Sequence, residues 1–165
     1  MTPEWVGHRI GGVSAHQSEI DPRVLALHRY FMWSTLLKGH FEEVLARFTA
    51  RGEDFSLNSD DGAVGVAYMS YWYASLWVVI EGWRTLDLHD DEVDRLLDAP
   101  STEKLKLYRH NVFHFHENYW NEPLVLPLLR DSDTVTWVRE LSSALGRSLL
   151  EKLGYDVGQV ASAAS

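Results

Sequence analysis

The residues best suited to chemistry crowd into one short run: Arg109, His110, Asn111, His114, His116 and Glu117. A guanidinium can hold an oxyanion in its planar fork while a nearby imidazole, titrating close to neutral pH, moves a proton. The same histidines invite a metal. On a continuous helix His110, His114 and Glu117 stand at i, i+4 and i+7, and His28 or His40 of another helix could add a fourth ligand. No Glu-x-x-His pair or second carboxylate helix accompanies them, so that spacing is sound but unspecific. A purely structural use is also open, with Arg109 paired to Glu81 or Glu117 and the histidines partly buried with satisfied nitrogens.

Composition narrows the chemistry. The chain has no cysteine, which removes disulfides, thiolate zinc sites, iron–sulfur ligation and cysteine nucleophiles. Fifteen Lys and Arg against 24 Asp and Glu give a net charge of -9, which repels nucleic acid at long range unless basic residues are locally grouped. Lys104, Lys106 and Arg109 form the one such grouping that the sequence offers. The N-terminus lacks the basic and apolar regions of a secretory signal, so a cytoplasmic location is expected.

Several elements must position these residues. With 165 residues, 45% of them hydrophobic, the chain suits one domain with a real core. Residues 1–20 have no period and read as an irregular arm, and residues 155–165 as a mobile tail. Asp21-Pro22 opens a first helix, with Leu25, His28, Phe31, Leu36, Leu37, Phe41, Val44, Leu45 and Phe48 recurring at helical spacing to about Arg51. The run Asn58 to Gly62 reads as a loop.

Residues 63–80 carry no charge and pass the length test for a membrane span. Acidic flanks and the lack of a clustered Lys/Arg side favour a buried bundle helix with no membrane partner. A helix apolar on all sides needs more cover than three neighbours provide, which predicts an oligomeric partner. Glu81 is expected to surface at its end. A short helix runs to Leu97, a fourth main stretch from about Thr102 to Tyr119 has Leu105, Tyr108, Val112, Phe115 and Tyr119 as its inner stripe, and a last helix spans about Ser132 to Leu153. The expected fold class is therefore all-α, an antiparallel bundle of four main helices plus a short one.

On an ideal helix the heads of Arg109 and His114 diverge by roughly 140°, so a kink, the reach of arginine or a second subunit must bring them together. The segment Arg109-His110-Asn111-Val112-Phe113-His114 resembles the arginine, polar residue, variable spacer, histidine pattern of HEPN domains, a helical family rich in prokaryotic toxins and defence nucleases. The resemblance extends over most of residues 22–153. It implies a helical bundle that dimerises with two motif helices facing across a cleft, and an endoribonuclease that needs no metal or other cofactor. Arg109 would then stabilise charge on the scissile phosphate and His114 would move the proton of the ribose 2′-hydroxyl or of the leaving oxygen. His110 would orient the pair or contact phosphate, with Asn111, Lys106 and His116 as substrate-binding candidates.

The resemblance implies RNA, a second copy, and an antitoxin or inhibitor protein as partners. One toxin branch has a tyrosine two places after the histidine, where this chain has His116. A catalytically inactive, dimeric binding module of the same fold remains the alternative from a different class.

Overall fold

The computed structural model describes residues 20–56, 59–115, 117 and 132–155, and all the regular structure among them is helical. The expected arm and tail lie outside the described residues, apart from Ile20 and Tyr155 at their inner ends. The chain forms a helical bundle of α1 (Pro22–Arg51), α2 (Asp60–Thr85), α3 (Asp91–Leu97), α4 (Ser101–Val112) and α5 (Ser132–Lys152).

Helix α1 starts where the sequence places it. The Asp21 carboxylate accepts from the Arg23 amide at 2.8 Å, Pro22 occupies the first turn, and Gly52 closes the far end at φ 67. Its inward phase matches the expected one at Phe41, Val44 and Phe48 and differs from it in the first half, where Val24 and Leu27 face inward in place of Leu25 and Leu36. Val24, Leu27, Phe41, Val44 and Phe48 are buried, whereas Leu25 and Leu36 are exposed. Helix α1 carries two apolar seams, and periodicity alone does not say which of them α2 covers.

Helix α2 begins earlier than expected. Ser59 accepts from the Gly62 amide at 3.0 Å, and Asp60 and Asp61 occupy the first turn, where the helix dipole favours negative charge. Hydrogen bonds from Arg51 above all, with Arg47 adding its charge, hold the Asp61 carboxyl below its ordinary range and tie the start of α2 to the end of α1. By length and composition α2 could cross a membrane, and half of its most apolar 18-residue window is buried inside the fold. Trp72, Tyr73, Leu76, Trp77, Ile80 and Trp83 all lie in the core. Helix α2 is not wrapped on every side, since Val64, Tyr71 and Glu81 are exposed.

Helix α5 is fastened to α3 and its approach. The Trp137 indole donates to the Leu96 carbonyl at 2.9 Å, and Arg147 reaches Glu92 at 2.6 Å and Asp90 at 3.4 Å. Asp90 also caps α3, accepting from the Glu92 and Val93 amides at 3.1 Å. Burial pushes the Asp90 carboxyl up, but the Val93 amide, the Ser148 hydroxyl, Arg147 and the Glu92 amide outweigh it and hold the carboxyl below its ordinary 3.8.

A depressed folded value means that this contribution to stability is complete above the unfolded value and is lost as pH falls through the folded one. Asp90→Ala is expected to cost about 1–2 kcal/mol at neutral pH, through the cap and the tie to α5. The difference from wild type should shrink as pH falls below 3.8, in urea denaturation followed by circular dichroism. Equal stability at neutral pH would show that Asp90 does not join α3 to α5.

Candidate functional site

Helix α4 is anchored before it presents anything. At its start the Thr102 hydroxyl donates to the Leu97 carbonyl at 2.9 Å, fixing the corner after α3. Leu105 and Tyr108 face inward, and the Tyr108 and Ser70 hydroxyls lie 2.7 Å apart, joining α4 to the middle of α2. Burial pushes the Tyr108 phenol up, with the Ser70 bond opposing, so Tyr108 is neutral and acts as a strut.

The helix then ends at Val112, seven residues short of the expected Tyr119. From Asn111 onward the chain offers Asn, Val, Phe, His, Phe and His, all middling to poor helix formers, and Arg109 and His110 sit in the last turn where the dipole favours positive charge. Phe115, expected in the inner stripe, is 91% exposed. The helical face of His110, His114 and Glu117 is therefore not built. Among the described residues no group of three or more His, Asp or Glu is placed to hold a metal ion. His28 and His40 do not supply the missing ligands: His28 lines a separate groove on α1, and His40 stacks on Tyr68 at 5.0 Å.

Past the early end of α4, two of the motif residues, His110 and His114, remain in contact. His114 lies beyond the helix and its ring packs on that of His110, with centroids 4.1 Å apart. Arg109 and His110 line one groove of about 320 Å³ with Trp77, Glu81, Glu103 and Lys106. His114 is not on the groove wall and meets it through His110. The Arg109 guanidinium lies over the Phe113 ring at 5.8 Å, and its Nε is buried with no hydrogen-bond partner. The expected surface pairing of Arg109 with Glu81 or Glu117 is not formed among the described residues.

The supporting candidates divide. Asn111 is half-buried and its Nδ2 has no hydrogen-bond partner. Lys106 is in the groove but leans on Glu103 at 3.6 Å, so the basic approach carries matching carboxylates. His116 lies outside the described residues. Sequence reasoning did not find Trp77 and Glu103 as groove walls, or Phe113 as the cover of Arg109. The four-residue spacing of Arg109 and Phe113 was the available signal for the latter.

Around the motif Leu107, Phe113, Phe115 and Tyr71 leave large apolar surfaces exposed, with Tyr71 and Phe113 rings 6.2 Å apart. Set against models of protein families, curated proteins and solved structures, the chain matches none.

If Tyr108 is the strut, Tyr108→Phe leaves the Ser70 hydroxyl unpaired and costs about 1 kcal/mol in thermal or urea unfolding. A variant as stable as wild type would mean that this bond does not hold α4 to α2.

Proposed function

We propose that the chain is a metal-independent endoribonuclease of HEPN type, acting in the cytoplasm as a homodimer whose α4 helices and following turns face each other across a cleft. One observation carries the reading: the half-buried Arg109 shares a groove with His110, and the His114 ring lies tilted against that of His110. A guanidinium held in place by packing on the wall of a groove suits a phosphodiester oxygen. The exposed Leu107, Phe113, Phe115 and Tyr71 around it suit cover by a second copy.

In this reading Arg109 holds a non-bridging oxygen and offsets the charge that grows on it. His114 takes the proton of the 2′-hydroxyl, and the 2′-oxygen bonds to phosphorus. The bond from phosphorus to the 5′-oxygen breaks, and that oxygen leaves with a proton relayed through water from His114, while His110 orients the pair or contacts phosphate. Asn111, Lys106 and His116 would contact the neighbouring nucleotide.

A second reading has its own support. Glu81 and Glu103 line the groove beside Arg109, and the net charge is -9. An inactive dimeric module that binds a protein, such as an antitoxin or inhibitor, through the apolar surround would tolerate those carboxylates better than RNA would.

Cleavage of a mixed RNA substrate in the presence of a chelator separates them. Arg109→Ala and His114→Ala should each slow cleavage by about a hundredfold or more, and the chelator should change nothing. Equal rates in all three proteins would remove this mechanism. Loss of activity with the chelator would contradict its independence of metal, and a stable dimer that cuts no RNA would favour the binding module.

A further inference from the structure

Helix α1 shows a second seam on the side turned away from the core. Leu25, Arg29, Met32, Leu36, Gly39 and Glu43 follow one another at steps of four and three, the spacing of a helix-pairing seam. Leu25, Met32 and Leu36 are 55%, 45% and 59% exposed, and Trp33 beside them is 50% exposed. Exposed apolar residues are ordinary when scattered, but a continuous seam of them marks a surface that something covers.

Gly39 adds an independent observation. A Cβ there would meet nothing within 4 Å, so no packing inside the chain asks for glycine. In mid-helix it nonetheless costs about 0.5–1 kcal/mol relative to alanine. A neighbour approaching from outside gives it a use.

Charge identifies the neighbour. The Arg29 guanidinium lies over the Tyr30 and Trp33 rings at 5.3 and 5.2 Å and forms no ion pair among the described residues. Glu43, at the other end of the seam, meets only the His40 ring among the described residues, at 3.5 Å. We infer that the outer face of α1 pairs antiparallel with the same face of a second copy, about a twofold axis at Leu36. Residues equally far from Leu36 then come level. Arg29 meets Glu43 twice, and Trp33 and Met32 come level with Gly39 and His40, large groups against small or flat ones. A parallel pair would instead set Arg29 on Arg29 and Glu43 on Glu43, which like-charge repulsion opposes. This contact uses a different helix from the proposed α4 cleft, so it would join such dimers into a larger assembly, and it does not depend on RNA cleavage.

The absence of cysteine makes the test direct. Under mild oxidation Leu36→Cys should give a covalent dimer, while Leu25→Cys should not, because antiparallel pairing separates the two copies of residue 25 by roughly 33 Å. Leu107→Cys reports the α4 contact separately. In analytical ultracentrifugation, Glu43→Arg and Arg29→Glu should each weaken self-association by about tenfold, and the double reversal should restore it. Circular dichroism confirms that each variant is folded. No cross-link at Leu36, a cross-link at Leu25, or single reversals that associate like wild type would each overturn the proposal. A cross-link at Leu107 alone would overturn it while leaving the α4 dimer standing.

Discussion

Covering α2 is the constraint from which the rest of the architecture follows. This helix places Trp72, Tyr73, Leu76, Trp77, Ile80 and Trp83 in the core, and water must be kept from all of them at once. Gly65 and Gly82 let α1 come close. A Cβ on Gly65 would stand 3.0 Å from Val44 Cγ1, and one on Gly82 would stand 2.5 Å from Leu27 Cδ1. The Nε1 atoms of Trp72 and Trp83 are buried without hydrogen-bond partners, at a cost of about 1–3 kcal/mol each. Burial of two indole rings offsets that cost.

The candidate site is a by-product of the same packing. Tyr108 and Leu105 commit one face of α4 to α2, and the opposite limit is set where helix formers run out after His110. The turn that follows places Phe113 over Arg109 and lets His114 fold against His110. A longer helix would have kept the heads of Arg109 and His114 roughly 140° apart. Arg109 turns to Phe113 and His114 to His110, so the two heads are linked only through His110, which lines the groove beside Arg109.

Much of the fold was legible because it is written in local chemistry. Asp21-Pro22 and Gly52 mark the ends of α1, and the apolar run of residues 63–80 marks the middle of α2. The misread parts are those where two local signals compete. The Ser59 to Gly62 run has the composition of a loop and also that of a capped first turn, and the Arg47 and Arg51 contacts to Asp61 favour the turn. Helix α1 has apolar groups on two faces, so spacing alone does not distinguish Leu25 and Leu36 from Val24 and Leu27 as core residues. In α4 the stripe continued on paper through Phe115, but propensity outweighed periodicity once no partner element received that ring. At the site, Arg109, His110 and His114 could be picked from residue type. The groove walls Trp77 and Glu103 come from other turns and another helix, which spacing along one segment does not reveal.

The chemistry proposed for these residues is an attack by the ribose 2′-oxygen within a groove anchored by a guanidinium. End-group analysis of a short RNA tests that claim most directly, comparing an all-ribose oligonucleotide with one whose 2′-hydroxyls are replaced by hydrogen. The expected result is cleavage of the first into fragments ending in a 2′,3′-cyclic phosphate and a free 5′-hydroxyl, and no cleavage of the second. Equal cleavage of both, or fragments carrying a 5′-phosphate, would contradict it.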